Sequence, residues 1–380
     1  MNAQIIALVK KLDSLLGPSV VAFINRLPQK KIQGSRVSSI LLIRPGGIGD
    51  AALLVPAINS LKQYNPDISI TVLAERRNGL IFSLCPDVDQ LFYYDRLNEL
   101  LATVRGHYDI VIDTEQWHRL SAVIARITRA PISIGYATNK RQQLFTHRIA
   151  YSHDTYEVES FFHLLKPLIK MPLVGYETPF LFIPEDTDRY AGTLLAKNDK
   201  NLLITLFPGA SIPERRWGAE RFQNLAQRLH SRGAHVVVIG GKEDYSYGDR
   251  ICTGGIGLNL AGRTSLVGSA AIINRSDLLI SGDSGILHVA MGLNVPTVSL
   301  FGPGRVNKWA PRGENHLVIN KSLSCSPCTT FGCTPRCPIN ARCMAEITVD
   351  EVECAVLELL SRKKSAAATK TLTSVQPAGI

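Results

Sequence analysis

The stretch that decides the fold is Ser39-Ile-Leu-Leu-Ile-Arg-Pro-Gly-Gly-Ile-Gly-Asp50. Its apolar residues 40–43 predict a buried strand, and the apolar spacing across residues 51–61 predicts one face of a following helix. The glycine-rich turn and Asp50 therefore lie at the carboxyl end of a strand. Ligands bind at this position in open α/β sheets, because the helix begins there with unpaired N–H groups and a positive dipole end.

The same turn also fits a loose dinucleotide-binding fingerprint. Gly47, Gly49 and Ala52 have the required spacing, and Glu75 follows the next predicted strand. This fit predicts an NAD(P)-dependent oxidoreductase as an alternative function, and tight packing alone is a third explanation of the glycines. Asp50 argues against the oxidoreductase, because a carboxylate inside the turn would repel a pyrophosphate.

The length and composition are typical of a soluble protein with two domains. The chain has 380 residues, of which 45% are hydrophobic and 19% are charged, so it can bury two sizeable cores. No apolar run reaches the ~20 residues that a membrane-spanning helix needs. Lys10 and Lys11 interrupt the first apolar stretch, so we expect no secretory signal.

The formal net charge of +10 is concentrated at the two ends of the chain. Residues 1–36 contain six Lys or Arg and one Asp, and residues 361–380 contain four Lys or Arg and no acid. The body between them is nearly neutral, which argues against a nucleic-acid-binding groove. Basic ends beside an apolar helical stretch indicate contact with an anionic membrane surface, and solvated tails are the alternative.

Two series of apolar strands alternate with helices along the chain. The predicted strands of the first series are residues 38–43, 68–74, 91–94 and 108–112, and those of the second are residues 202–207, 234–239, 278–280 and 295–301. Continuous apolar strands separated by helices predict two doubly wound parallel sheets, hence an α/β fold.

These patterns divide the chain into four segments. Residues 1–36 form an amphipathic basic extension, in which we expect Gly17 and Pro18 to break the helix. Residues 37–182 and 183–360 form the two α/β domains, and the Cys-rich segment 325–343 belongs to the second. Residues 361–380 are expected to form a basic flexible tail.

The most informative loop of the second domain is Ser281-Gly-Asp283-Ser284-Gly285-Ile-Leu-His288. Asp and Ser favour a helix N-terminus, and Gly lets a ligand approach the backbone, so the first N–H groups of the helix can bind a diphosphate. Residues 208–211 and the pair Arg215-Arg216 add a second polar loop at another strand end. Arginine suits phosphate because its planar fork of donors is always charged.

Four sequence motifs together resemble glycosyltransferase family 9, the ADP-heptose:lipopolysaccharide heptosyltransferases. The resemblance covers residues 37–355. The motifs occur in the family's order, and they are residues 44–50 with Pro56-Ala57, residues 208–211 with Arg215-Arg216-Trp217, Gly240-Gly241 with Glu243, and residues 283–288 with Gly302.

The resemblance implies a GT-B architecture, in which two Rossmann-like doubly wound parallel-sheet domains face a central cleft. The N-terminal domain would bind the acceptor and the C-terminal domain the nucleotide sugar. Asp50 takes the position of the general base in an inverting, metal-independent transfer. The residues implied on the acceptor side are Gly47, Gly49, Asp113, Glu115 and Arg119. Those implied for the nucleotide sugar are Ser211, Arg215, Glu243, Thr264, Asp283, Ser284, Gly285 and His288. The family more often has lysine where Arg215 stands.

Five of the eight cysteines lie between Cys325 and Cys343. A C-x-x-C pair followed by further thiols can form a tetrahedral zinc or iron site, because the short spacing directs two sulfurs toward one point. Related family members carry thiols at positions matching Cys325, Cys328, Cys337 and Cys343, and Cys333 is additional. Reduced thiols that pack in a hinge and a disulfide are the alternatives. We expect Cys85, Cys252 and Cys354 to be core residues.

The sequence therefore predicts a transferase that moves a heptose-like sugar from a nucleotide-diphosphate donor, ADP-heptose by the resemblance, to a lipopolysaccharide or related surface-glycan acceptor. We expect no cofactor in catalysis and no nucleic-acid partner. The expected location is the cytoplasm, at the inner face of the cytoplasmic membrane. The NAD(P)-dependent oxidoreductase and a non-catalytic metal-binding scaffold are the alternatives.

Overall fold

The computed structural model describes residues 3–26, 37–169, 175–195, 202–330 and 334–373. The chain divides into two compact units, Met1–Phe182 and Ile183–Ile380. Each unit alternates strands and helices around one sheet, as the two series of apolar strands predict. The two units are named unit 1 and unit 2 below.

The described part of unit 1 contains six strands and six helices. In chain order they are α1 (Ala3–Ile24), β1 (Ser39–Arg44), α2 (Ile48–Tyr64), β2 (Ser69–Ala74), α3 (Arg76–Gly79), β3 (Gln90–Tyr93), α4 (Leu97–Arg105), β4 (Ile110–Asp113), α5 (Leu120–Ile127), β5 (Ile132–Tyr136), β6 (His147–Ile149) and α6 (Glu157–Leu165).

The sheet of unit 1 has the strand order β3-β2-β1-β4-β5-β6, and every pair of neighbours is parallel. This is the strand order of the Rossmann fold. The chain reverses direction across the sheet between β1 and β4, where Ile43 lies opposite Asp113. Ligands bind outside the carboxyl ends of the strands at this topological switch point. The loops after β1 and β4 therefore form the expected binding edge of unit 1.

Unit 2 likewise has six strands among its described residues. In chain order its elements are α7 (Glu185–Leu195), β7 (Leu203–Phe207), α8 (Ala219–Ser231), β8 (His235–Val238), α9 (Tyr245–Ile251), β9 (Gly257–Asn259), α10 (Leu266–Asn274), β10 (Leu278–Gly282), α11 (Gly285–Gly292), β11 (Thr297–Phe301), α12 (Val306–Trp309), β12 (His316–Asn320), α13 (Arg342–Ala345) and α14 (Val349–Thr373).

The sheet of unit 2 repeats the topology of unit 1, with the order β12-β11-β10-β7-β8-β9 and parallel neighbours throughout. Its switch point lies between β7 and β10, where Phe207 is opposite Ser281. The core on one side of the sheet includes Trp217, whose indole N–H donates to Ile347 O at 2.9 Å. The loops after β7 and β10 form the expected binding edge of unit 2.

The sequence analysis does not predict four of the strands, namely β5, β6, β9 and β12. Three of them lie at the edges of the sheets and are only partly buried, so they carry no continuous apolar run. The fourth, β5, contains Ser133 and Gly135. A Cβ at Gly135 would lie 2.4 Å from the Phe145 ring, so only glycine leaves room for that ring.

Two expectations for the ends of the chain are wrong. Helix α1 continues through Gly17 and Pro18 instead of breaking there, and Gly17 lets it approach unit 1 closely, because a Cβ would lie 2.7 Å from Arg119 Cδ. Helix α14 extends to Thr373, so residues 361–373 are not a flexible tail. Arg362 donates to Glu314 O at 2.9 Å, and Lys363 Nζ lies 2.6 Å from Asp277 Oδ1. These contacts hold the helix against unit 2.

Candidate active site

Asp50 lies in the first turn of α2, directly after the turn that follows β1. Gly46 has a φ of +109°, a left-handed conformation that favours glycine. A Cβ at Gly47 would lie 2.9 Å from Asp50 Oδ2. Gly49 lies beside Asp50 in the same helical turn. Glycine at position 47 therefore makes room for the Asp50 carboxylate. The dinucleotide fingerprint does not explain a carboxylate at this position.

Gln116 connects Asp50 to a second, deeply buried carboxylate. Its side-chain Nε2 donates to Asp50 Oδ1 at 3.4 Å and to Glu157 Oε1 at 2.6 Å. Glu157 is fully buried and also accepts from the Tyr151 hydroxyl at 3.2 Å. One amide thus binds two carboxylates and fixes the orientation of Asp50. The sequence analysis does not identify Gln116, Glu157 or Tyr151.

Two buried ion pairs hold the carboxyl end of β4, one to the end of β1 and the other to the segment between β5 and β6. Arg44 Nη2 lies 3.2 Å from Glu115 Oε2, and Arg44 Nη1 donates to Thr114 O at 2.7 Å. Arg141 pairs with Asp113 and donates to Glu115 O. All four charged side chains of these pairs are buried.

The electrostatics of this network follow from burial and pairing. Burial alone would raise the pKa of Glu115, but the charge of Arg44, with smaller contributions from His118 and Arg141, lowers it below its usual range. Burial raises the pKa of Asp113 despite the opposing charge of Arg141. The pKa of Arg44 is raised, because the nearby carboxylates, with Asp50 the strongest, outweigh its burial. Arg44 therefore provides a fixed positive charge close to Asp50.

This arrangement places three of the predicted acceptor residues in supporting contacts. Asp113 and Glu115 are buried in the ion pairs, and Arg119 Nη1 lies 3.3 Å from Asp13 Oδ2 on α1. Contact between these side chains and an acceptor stays a prediction. Their observed contacts hold the loop after β4 in place next to Asp50.

In unit 2, three loops meet around Asp283. Its carboxylate is buried, and Asp283 Oδ2 lies 3.0 Å from Arg215 Nη1. A Cβ at Gly304 would lie 2.1 Å from Asp283 Oδ2, and a Cβ at Gly282 would lie 3.0 Å from Arg215 O. Glycine at both positions therefore lets the loops after β7, β10 and β11 approach one another closely. Their approach places Arg215 beside the N-terminus of α11.

The N-terminus of α11 is not capped by its own N-cap side chain. Ser284 occupies the N-cap position, but its hydroxyl lies 2.8 Å from Ser281 Oγ and makes no capping hydrogen bond. The helix begins at Gly285, whose lack of a side chain leaves the first N–H groups open to a ligand. Such a helix end binds anions through these N–H groups and the helix dipole. This geometry fits a diphosphate.

His288 lies one turn into α11 and is buried. Burial and the charge of Arg215 lower its pKa to about 3, so the imidazole is neutral at physiological pH. Its Nδ1 has no hydrogen-bond partner within the described part of the chain. His288 can therefore offer a ligand a hydrogen bond but not a positive charge.

The other predicted nucleotide-sugar residues lie at the same edge of the unit 2 sheet. Ser211 and Glu243 are exposed, and Thr264 Oγ1 lies 2.7 Å from Ser269 Oγ. The sequence analysis does not identify Asp244, which is buried and accepts from the Gly241 N–H at 3.0 Å. Burial raises the pKa of Asp244. A Cβ at Gly209 would lie 2.5 Å from Asp244 Oδ2, so Asp244 joins the loops after β7 and β8.

The Cys-rich segment packs on the loop that follows β11. The Cys328 N–H donates to Pro303 O at 3.1 Å, and a Cβ at Gly302 would lie 2.9 Å from Cys343 Sγ. Burial raises the pKa of Cys328 and of Cys343, and the proximity of the other thiols, Cys325 and Cys337 among them, adds to both shifts.

No three His, Cys, Asp or Glu side chains are arranged as a metal site within the ranges that the structure describes. Cys333, the additional thiol of the segment, lies outside those ranges. Of the three cysteines expected in the core, Cys85 is buried, Cys252 is half-buried and Cys354 is exposed on α14. Cys354 is therefore not a core residue.

The comparisons with known proteins agree with this architecture. Two Rossmann-like units in one chain, each with polar residues at its switch point, define the GT-B class of glycosyltransferases. The sequence profile of glycosyltransferase family 9 (heptosyltransferase) matches residues 98–337. The match covers more than half of the chain, which therefore belongs to this family. The family match gives no support to the oxidoreductase alternative.

Three known proteins illustrate the similarity. Lipopolysaccharide heptosyltransferase 3 of Escherichia coli (strain K12) is 28% identical over 290 residues, covering 70% of this chain and 83% of that protein. The solved structure of E. coli ADP-heptose lps heptosyltransferase II has a TM-score of 0.71 and 23% identity, covering 86% and 99% of the two chains. A family 9 glycosyltransferase from Veillonella parvula DSM 2008 has a TM-score of 0.72 and 22% identity, covering 86% and 97%.

The space that Gly47 leaves for Asp50 can be tested by substitution. We expect Gly47→Ala to lower kcat/KM for sugar transfer by about tenfold to hundredfold, because the new Cβ displaces the carboxylate by a fraction of an ångström or more. The matched control is Gly192→Ala in α7, where the nearest atoms, 3.2 Å away, belong to the flexible end of Arg275. Activity that is equal in the two variants would contradict the steric role of Gly47.

Proposed function

We propose that this protein transfers a heptose from ADP-heptose to a lipopolysaccharide or related surface-glycan acceptor, with inversion at the anomeric carbon and without a metal in catalysis. The observation that carries the proposal is the pairing of two different chemistries at the two switch points. Unit 1 presents Asp50, a carboxylate oriented by hydrogen bonding. Unit 2 presents Arg215 beside an uncapped helix N-terminus.

Asp50 acts as the general base. Its carboxylate accepts the proton of the acceptor hydroxyl while that oxygen attacks the anomeric carbon of the donor. The new bond joins the acceptor oxygen to the anomeric carbon, and the bond from that carbon to the diphosphate oxygen breaks. Attack from the face opposite the leaving group inverts the configuration. The hydrogen bond from Gln116 orients the carboxylate, and the positive charge of Arg44 lies close to it.

Unit 2 stabilises the departing diphosphate. The charge of Arg215 and the first N–H groups of α11 attract the negative charge that develops on the leaving oxygen. Asp283 orients the guanidinium, and Arg215 Nε has no hydrogen-bond partner among the residues that the structure describes, so it is available to a phosphate oxygen. His288, being neutral, contributes a hydrogen bond only.

We infer the identity of the donor and of the acceptor from the names of similar proteins. One similar solved structure is named for ADP-heptose and lipopolysaccharide, and the curated relative is a lipopolysaccharide heptosyltransferase. We assign Glu243 and Thr264 to the nucleoside part of the donor, because they follow β8 and β9 at the same edge of the unit 2 sheet as the switch-point loops. The acceptor side is formed by the turn at Gly47 and Gly49 and by the loop after β4. We place the reaction in the cytoplasm, at the inner face of the cytoplasmic membrane.

The test separates catalysis from nucleotide binding. We expect Asp50→Asn to lower turnover by about a hundredfold to ten-thousandfold, the usual contribution of a general base. Thermal stabilisation by ADP should be unchanged, because ADP binds at the other switch point. The matched control is Asp67→Asn, an exposed acid beyond the far end of α2.

Two results would overturn the proposal. One is an Asp50→Asn variant that keeps full turnover. The other is selective stabilisation of the wild-type protein by NADH, with no response to ADP, UDP or GDP, which would revive the oxidoreductase alternative. Stabilisation by ADP over the other nucleotides supports ADP-heptose as the donor.

We also propose a structural zinc or iron site formed by Cys325, Cys328, Cys337 and Cys343. Four thiols, of which Cys328 and Cys343 are both held against residues 302–303, supply the soft donor set that these metals prefer. A metal here would brace the loop after β11, whose Gly304 contacts Asp283. It would have no role in the transfer step.

Metal analysis of purified protein tests this site. We expect about one zinc or iron per chain, the stoichiometry of one closed site with four thiolate ligands, and loss of that metal in Cys328→Ser. The matched control Cys354→Ser removes an exposed thiol outside the segment and should retain the metal. Wild-type protein that is fully folded and free of metal would contradict the proposal.

A further inference from the structure

Helix α1 packs on the rest of unit 1 through the side that carries Asp13, Gly17 and Val21. Asp13 Oδ1 accepts from the backbone N–H groups of Arg119 at 2.8 Å and Leu120 at 3.0 Å. These groups begin α5, whose own N-cap side chain makes no capping bond. Gly17 packs against the Arg119 side chain, and Val21 is fully buried. The helix therefore has a fixed orientation on unit 1.

The outward side of α1 carries large apolar residues. Leu15, Leu16, Val20 and Phe23 are 66%, 58%, 41% and 68% exposed. Residues 16, 20 and 23 have the i, i+4, i+7 spacing of one helix face. We name these four residues the outer stripe. A surface helix normally turns such a stripe toward the protein core, so its outward position indicates that something else covers it.

The charge of residues 1–36 indicates what covers the outer stripe. Asp13 is the only acidic residue among residues 1–36, and it faces unit 1, where it contacts Arg119. The six Lys and Arg residues of the same segment have no other acid within it to neutralise them. A second copy of the chain would bring two such positively charged segments together, which costs free energy. An anionic surface would instead attract them.

We propose that the outer stripe of α1 docks on an anionic lipid bilayer. A helix that lies in the bilayer interface buries its apolar face among the acyl chains while nearby Lys and Arg attract the anionic headgroups. None of the described helices has the length and apolar character to cross a membrane. Its purpose rests on the proposed function, because a lipid-linked acceptor lies in a membrane.

The contacts of Asp13 connect this surface to the candidate active site. Asp13 binds Arg119, at the end of the loop that begins at Asp113 and contains Gln116. Gln116 in turn donates to Asp50. The contacts of Asp13 and Gln116 would therefore link a bilayer bound to α1 with the acceptor side of unit 1.

Vesicle flotation of the full chain tests the docking surface without any sugar substrate. We expect binding to vesicles of phosphatidylcholine with phosphatidylglycerol, weaker binding at high salt, and little binding to phosphatidylcholine alone. Leu16→Asp and Phe23→Asp, measured separately, should each reduce binding by at least about tenfold, because a charge replaces an apolar side chain that the bilayer would bury. The matched control is Leu97→Asp, since Leu97 is 69% exposed at the start of α4.

Three outcomes would overturn the proposal. Wild-type protein that does not bind the anionic vesicles would exclude the bilayer as the occupant. Binding that the two substitutions in the outer stripe reduce no more than Leu97→Asp does would exclude the stripe as the contact. A wild-type dimer that Leu16→Asp converts to a monomer would show that a second copy covers the stripe. Because no outcome depends on turnover, a failure here leaves the transfer reaction untouched, and the reverse also holds.

Discussion

The buried ion pairs of unit 1 are the interaction on which the position of the loop after β4 depends. The Arg44–Glu115 pair joins the end of β1 to the residues after β4, and the Arg141–Asp113 pair joins the end of β4 to the segment between β5 and β6. The charges of both pairs are removed from water. Removing one partner of such a pair typically costs about 3–5 kcal/mol, because the other charge is left buried and alone. The pairs are therefore a geometric constraint, which holds the loop after β4 where Gln116 reaches Asp50.

The two units have the same sheet topology but different side chains at their switch points. Both sheets have the Rossmann strand order, so both have a switch point with loops above the carboxyl ends of two central strands. In unit 1 glycine at position 47 makes room for a carboxylate, whereas in unit 2 glycines at positions 282 and 304 let loops close around an Arg–Asp pair. In the proposed function, unit 1 would supply the base and unit 2 the anion site.

The sequence predicts the fold class and the residues at both switch points, because apolar strands and glycine turns are local signals. It does not predict the contacts between distant segments. Gln116 and Glu157 are ordinary polar residues in sequence, and only the fold brings them to Asp50. For the same reason the sequence does not show that Asp113 and Glu115 are each buried against an arginine. Their contact with the acceptor stays a prediction. The partly buried edge strands and the passage of α1 through Pro18 likewise depend on tertiary packing.

The most direct measurement of the central claim is the configuration of the product formed by the wild-type protein. Heptose transferred from ADP-heptose to a lipopolysaccharide acceptor is detected by mass spectrometry, and the anomeric configuration of the new linkage is read by nuclear magnetic resonance. We expect release of ADP and a new linkage whose anomeric configuration is opposite to that of the donor. A retained configuration, or no transfer, would contradict a direct attack assisted by Asp50.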